Sequence, residues 1–275
     1  MSGYPYKNPF VGGYRITEPA ELYVNPRPAA TETSKVSYKA HAVICHAIAN
    51  GQGAPTYIPK IEEFTPIPAD ISPQEMFKAE SVYTWKGIPR NRFRSLKDNH
   101  HILIYTDGAC SNNGKENAAA GCAFYYRPPG LKLSGEQTTG VVSFRLEDTG
   151  PNGIPSLQTS VRAELRAVIA ALQYRPWYDP WCEMCSRVVI ATDSEYVVKG
   201  VTSWVRTWIQ NGWRISKGKL ASNRDLWEEL LEVLRTLELN DLEVQFWRIP
   251  REWNRVADKG AKAAAKMPRV ADYVK

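Results

Sequence analysis

Three carboxylates recur at one kind of position in this 275-residue chain. Asp107 follows the apolar run ILIYT, Asp193 follows VVIAT, and Glu164 lies in the first turn of RAELRAVIAALQY. If the two Asp-bearing runs are neighbouring strands, both side chains emerge at adjacent strand ends, and Glu164 projects over the sheet from a packed helix. Oxygen ligands grouped this way favour hard cations such as Mg²⁺ or Mn²⁺ over zinc. Two such ions, roughly 3.5–4 Å apart, activate a water and stabilise the leaving oxygen in phosphodiester hydrolysis. Like charges crowded together are costly without a cation, so the cluster itself predicts metal. Each Thr-Asp pair alone reads as a turn or a cap; three in register with a sheet are harder to dismiss. A fourth acid, Asp258, sits where IPREWNRVAD runs into the Ala-rich stretch KGAKAAAKM. Taken locally, it is an acid favoured near the positive start of a helix.

The elements that must position these acids follow from periodicity. HILIYTDG reads as a buried strand ending in a turn, and GCAFYYR and VVSFRLE as the next two strands of a meander. Leu165, Val168, Ile169 and Leu172 recur at helical spacing and make one apolar face. RVVIATDS is a further strand, with Ser194 placed to cap the helix EYVVKGVTSWVRTWI. LWEELLEVLRTL predicts an amphipathic helix, LEVQFWRI a strand and ADKGAKAAAKM a last helix. Three strands, helix, strand, helices, strand, helix predicts an α/β domain over 99–275, a mixed five-stranded sheet with helices on both faces. Residues 1–98 differ, with recurring prolines and no long periodic segment. They predict an extended Pro-rich arm, with a short helix at about 72–80 behind Ser72-Pro73.

Composition narrows the class. Apolar content of 43% and charged content of 23% are those of a water-soluble globular protein. No apolar run approaches the roughly 20 residues that span a bilayer. The first residues show neither a signal-peptide core nor an Arg-rich transit pattern, so nucleus or cytoplasm is expected, with a mitochondrial address left open. A net charge of +6 and nine tryptophans suit a polyanionic, stacking partner. Of the five cysteines, Cys182 and Cys185 form a lone CxxC with no second pair and no nearby His, which reads as reduced thiols rather than a zinc site.

TDGAC (106–110), RAEL (162–165), TDSEYVVKGVTSWV (192–205), NGW (211–213) and SNRDLW (222–227) together resemble the type 1 ribonuclease H family. The likeness runs from about residue 100 to 266 and leaves the first hundred residues outside it. It implies a ribonuclease H-like fold and endonucleolytic cleavage of the RNA strand of RNA–DNA hybrids with two divalent ions, Mg²⁺ or Mn²⁺. It also implies that the metal ligands and catalytic acids are Asp107, Glu164, Asp193 and Asp258. On this resemblance Asp258 changes from a helix-start acid to the fourth ligand, through the context NRVAD-KGAKAAA.

The same likeness assigns a substrate surface. Lys199, Arg206, Arg214, Lys217, Lys219 and Arg224 are interleaved with Trp204, Trp208 and Trp213, and no acid falls between 199 and 224. This predicts a phosphate-tracking surface. By resemblance Tyr196, Trp204 and Ser216 line the DNA channel, Thr159 and Asn223 belong to a DNA phosphate pocket, Asn113 faces an RNA 2′-hydroxyl, and Ser160 is a further substrate-binding residue. The chain departs from the family pattern in three places. Leu157 stands where the phosphate pocket sometimes has Arg, and Ser160 and Val161 replace the usual polar pair before the RAEL arginine, where Val161 cannot donate through its side chain. No His lies in the loop ahead of Asp258, since His41, His46, His100 and His101 all precede Asp107. The contracted loop PREWN brings Arg251, Glu252 and Trp253 there instead. The alternatives are a non-catalytic hybrid- or RNA-binding protein on the same scaffold, or a nuclease of this fold that prefers another duplex.

Overall fold

The computed structural model describes residues 58–83, 89–113, 115–131, 137–178 and 185–274. The first of its elements are β1 (Glu62–Glu63), α1 (Pro73–Met76), β2 (Phe77–Tyr83) and β3 (Pro89–Ser95). The strands β4 (His101–Ser111), β5 (Ala119–Tyr125), β6 (Gly130–Leu131), β7 (Gln137–Thr138) and β8 (Val141–Arg145) follow. Next come α2 (Ser160–Gln173), β9 (Arg187–Thr192), α3 (Glu195–Lys199), a π-helical turn (Gly200–Trp204) and α4 (Val205–Gln210). The chain closes with α5 (Arg224–Glu238), β10 (Glu243–Arg248), a 3₁₀ turn (Arg251–Trp253) and α6 (Arg255–Ala264).

The five strands expected from the sequence, β4, β5, β8, β9 and β10, form the centre of one mixed sheet. β4, β9 and β10 run parallel, while β5 pairs antiparallel with both β4 and β8. Both faces are buried, as alternation along the strands shows. Ile102, Ile104, Val188, Ile190 and Phe246 enter one core, beneath α2 and α5. Leu103, Tyr105, Val189, Ala191 and Trp247 enter the other.

Three further strands make the sheet eight-stranded. β1 lies parallel to the outer side of β10, and the β2–β3 hairpin joins the start of β4 through Phe93↔Leu103 and Arg94↔Ile102. Residues 62–63, 77–83 and 89–95 of the expected N-terminal arm are therefore paired into the sheet, and residues 1–57 and 84–88 lie outside the described residues. The helix expected at 72–80 is one turn, Pro73–Met76. Ser72 and Glu75 close a reciprocal capping box at its start, and Phe77 passes straight into β2. Phe64, Phe77 and Trp247 stack at 5.0–6.4 Å between ring centres and cover the β9–β10 part of the second face. Among the described residues no helix is long and apolar enough to cross a membrane. Cys110, Cys122 and Cys185 are free thiols, and Cys45 and Cys182 fall outside the described residues.

Candidate active site

Strand register brings the two aspartates together. β4 and β9 pair in parallel from His101↔Arg187 to Tyr105↔Ala191. Asp107 and Asp193 each lie two residues beyond that last pair, so they emerge side by side from neighbouring strands. Asp107 is not at a strand end, as the sequence suggested. β4 continues past it to Ser111 because β5 pairs there, with Asp107 opposite Ala123. Only β9 stops, which leaves Asp107 along the side of β4 that β9 has vacated.

Glu164 arrives from above the sheet, and Gly108 is the reason it comes so close. A Cβ on Gly108 would stand 2.1 Å from the Glu164 backbone nitrogen and 2.4 Å from the Ala163 carbonyl carbon. Thr159 starts the helix there, its side chain accepting a hydrogen bond from the Arg162 backbone N–H. Asp258 approaches from the opposite face in α6, which rests on Gly121. A Cβ at Gly121 would be 2.2 Å from the Ala265 nitrogen. Two bare backbone positions on adjacent strands thus let two helices deliver acids from the two faces.

The electrostatics show that the four acids share one neighbourhood. Burial, then Asp193, and with them Asp258 and Glu164, push the Asp107 carboxyl up to about 8. Burial and Asp193 push Glu164 up to about 7, although the Ser194 hydroxyl donates to it at 2.5 Å. Burial also acts to raise Asp258, but the ammonium of Lys262 and the guanidinium of Arg251 hold it below the usual range. The side chains do not close on a common point. Among the described residues, no three His, Cys, Asp or Glu side chains come together closely enough to grip a metal ion. Each of three instead faces a local partner: Glu164 faces Ser194, Asp193 faces Asn254, and Asp258 faces Arg251 and Lys262. An all-carboxylate set whose buried members are too crowded to ionise together fits a hard divalent cation. Asp107 and Glu164 are the acids that most need its charge.

One polar residue of this site escaped the sequence reading, and a second was read only as a helix cap. Asn254, 1% exposed, donates from Nδ2 to the Thr106 carbonyl at 3.0 Å and to Asp193 Oδ1 at 2.8 Å. It fastens the contracted loop to the ends of both Asp-bearing strands. Ser194 does cap α3 as expected, accepting from the Val197 N–H, and the same hydroxyl also positions Glu164. His100 and His101 begin β4, six or more residues from Asp107, so neither described histidine reaches the acids.

The substrate residues named from the resemblance fall into two groups and one outlier. Asn113 accepts a hydrogen bond from the Ser160 backbone N–H at 3.2 Å, which places this pair together beside the start of α2. Tyr196, Trp204 and Asn223 lie around the start of α5. Trp204 stands edge-on to Tyr196 at 5.8 Å, and the Tyr196 hydroxyl accepts from Trp227 Nε1 at 3.2 Å. Arg162 links Thr159 to this group. Its backbone caps against Thr159, and its buried guanidinium grips Asp225 at 2.5 and 2.9 Å, with Asn223 at 3.5 Å. Ser216 lies apart, on an exposed turn between Arg214 and Leu220. Trp208 and Trp213 are core residues, while Trp204 is 36% exposed. Of the basic residues, Lys199 pairs with Glu195 and Arg224 with Glu228. Arg206, Lys217 and Lys219 face solvent.

A mixed sheet of this strand order, with acids delivered from two neighbouring parallel strands and from a helix on each face, defines an α/β domain with a carboxylate cluster. The RNase H family model matches residues 99–266, and the chain belongs to the RNase H family. It is 33% identical over 169 residues to Ribonuclease H1 of Mus musculus, covering 58% of this chain and 50% of that protein. It is 37% identical over 171 residues to Ribonuclease HI of Pasteurella multocida, covering 62% of this chain and 94% of that protein. The solved structure of LC9-RNase H1, described as a type 1 RNase H with the type 2 active-site motif, is 29% identical. That match covers 60% of this chain and 72% of that one, with a TM-score of 0.40. The chain spans about half the length of the mouse and rat proteins it matches.

Proposed function

We propose that this protein is an endoribonuclease that hydrolyses the RNA strand of RNA–DNA hybrids, using Asp107, Glu164, Asp193 and Asp258 to hold divalent cations. The observation that carries the reading is the register of Asp107 with Asp193, closed over by Glu164 across Gly108. Members of the RNase H family use divalent metal ions. Two Mg²⁺ or Mn²⁺ ions held here would activate a water and stabilise the leaving oxygen of the phosphodiester. The residues themselves set the stage for that chemistry. Asn254 holds Asp193 at a fixed angle, Ser194 holds Glu164, and Gly108 fixes the height of Glu164 above the strand.

Substrate selection is assigned to the two polar groups flanking the acids. Asn113 and Ser160, joined by a hydrogen bond, would meet RNA 2′-hydroxyls, the groups that distinguish RNA from DNA. Thr159 and Asn223 would take a DNA phosphate, and Tyr196 and Trp204 would pack against the DNA sugars and bases. Ser216 with Lys217 and Lys219 extends the basic surface along the same strand. Neither described histidine, His100 or His101, takes part in this reading, in which proton movement at the leaving group falls to solvent or to the acids.

Matched RNA–DNA, RNA–RNA and DNA–DNA duplexes, end-labelled on one strand, test the assignment. Internal cleavage of RNA in the hybrid alone, in Mg²⁺ or Mn²⁺ and lost in Asp193→Asn, is the expected result. Equal traces from wild type and Asp193→Asn would refute it. Salt-sensitive binding with no cleavage in either metal would make the protein a hybrid-binding module instead. Preferential cleavage of another duplex would reassign the substrate.

A further inference from the structure

The contracted loop supplies a cation where Asp258 would receive one. Arg251 Nη2 donates to Asp258 Oδ1 at 3.1 Å, and its Nε lies 3.9 Å from Asp193 Oδ2. Lys262, one turn further along α6, donates to the other oxygen, Oδ2, at 2.7 Å. Both oxygens of Asp258 are therefore engaged by side-chain cations. Arg251 alone of the two also reaches towards Asp193, spanning the two carboxylates from different elements. Its backbone is anchored, because Asn254 ties the turn to β4 and β9, while its side chain is 70% exposed.

We propose that Arg251 is the resident counter-ion of the carboxylate cluster, and that it must release Asp258 before this acid joins Asp107, Glu164 and Asp193 in holding divalent cations. Arg251 then sets how tightly the protein takes up metal. While in place it neutralises Asp193 and Asp258, which keeps the acids gathered in the metal-free protein. Once released, the guanidinium remains tethered at the mouth of the site with its five donors free for a phosphate. An exposed ion pair is weak enough for this exchange, on the order of 1 kcal/mol or less. Lys262 has a smaller part, because it approaches Asp258 along its own helix and contacts no other acid of the cluster.

The inference rests on reading these carboxylates as metal ligands. It is tested without nucleic acid, so a failure to cleave hybrid and a failure of this idea register in separate experiments. Metal-free full-length protein is titrated with Mg²⁺ and followed by the amide resonances of Asp107 and Asp193 and by the Arg251 Nε–H signal. The Arg251 signal is expected to shift with the same midpoint as the aspartate amides. Arg251→Gln should lower that midpoint by about two- to fivefold, and Lys262→Gln should change it less than Arg251→Gln does. An Arg251 signal that stays still while the aspartates respond would overturn the proposal. So would a Lys262→Gln effect equal to or larger than that of Arg251→Gln. The wild-type titration stands even if a variant fails to fold.

Discussion

Gly108 and Glu164 occupy space that a single methyl group would close: a Cβ on the glycine would lie 2.1 Å from the glutamate nitrogen. The obstructing atoms are backbone, so no side chain can swing aside. Gly108→Ala should push α2 off β4, with a stability loss of at least about 1–3 kcal/mol and a fall in kcat larger than any change in KM. Thermal unfolding and steady-state cleavage of a hybrid measure the two effects separately.

Asp107 and Glu164 give the metal-free protein a distinctive pH dependence. Folding raises Asp107 from its ordinary 3.8 to about 8 and Glu164 from 4.5 to about 7. Raised acids favour the protonated form in the folded state, so the folded protein binds protons that the unfolded chain has released. Their contribution is full below about pH 4 and is lost as pH climbs towards 8. Melting in EDTA should therefore show Tm falling across that window. Asp107→Asn should flatten the fall and raise Tm at pH 8, while abolishing cleavage. Mg²⁺ should raise the Tm of the wild type at pH 8 and have less effect on the variant.

Asn254→Ala removes the amide shared by Thr106 and Asp193. A buried carbonyl left without its donor costs about 1–3 kcal/mol. Freed from its tether, Asp193 should sample other rotamers, so kcat should drop with little change in affinity for hybrid. Circular dichroism melts and single-turnover cleavage distinguish the positional loss from unfolding.

Trp204, partly exposed and edge-on to Tyr196, should matter for binding more than for folding. Trp204→Ala is expected to raise KM with Tm within about 2 °C of the wild type. Replacing Arg206, Lys217 or Lys219 by Gln should weaken binding and lower the slope of log affinity against log salt. The expected change is roughly 0.9 for each phosphate no longer neutralised, as for B-form DNA. Fluorescence anisotropy over a salt series reads that slope.

A chain beginning at residue 99 should melt below one beginning at residue 58. The shorter chain would uncover Leu103, Val189 and Trp247, now buried with Phe77 and Met76. A lower Tm and binding of a hydrophobic dye are the expected signs. Equal stability of the two chains would show residues 58–98 to be dispensable to the fold of residues 99–275.

The contrast between those two halves explains what the sequence could reveal. Asp107, Glu164 and Asp193 follow local signals: apolar strands ending in Thr-Asp, and an acid one turn into an amphipathic helix. Their mutual placement follows from one pairing register. β1 carries no such signal, because two glutamates become a strand only by meeting Gln245 and Phe246, 183 residues away. The helix expected at 72–80 stopped at Met76 because pairing of β2 with β3 outweighs the local preference after one turn. The long helix from Glu195 also contains a turn that periodicity does not show. Gly200 packs where a Cβ would sit 2.3 Å from the Trp227 ring, and the five residues that begin with it open into a π turn. Asn254 was hidden for a different reason. Its importance lies in two acceptors contributed by distant strands, not in its neighbours in sequence.

The strand β1 has a consequence beyond the site. It takes over the outer hydrogen-bonding side of β10, which would otherwise present a row of unpaired amides and carbonyls to any extended chain. Among the described residues the new rim is only two residues long, and both are glutamates. So short and charged a strand, with Glu62 paired to Lys60 at 2.8 Å, offers a second copy little backbone to extend edge to edge, which discourages strand exchange along this side.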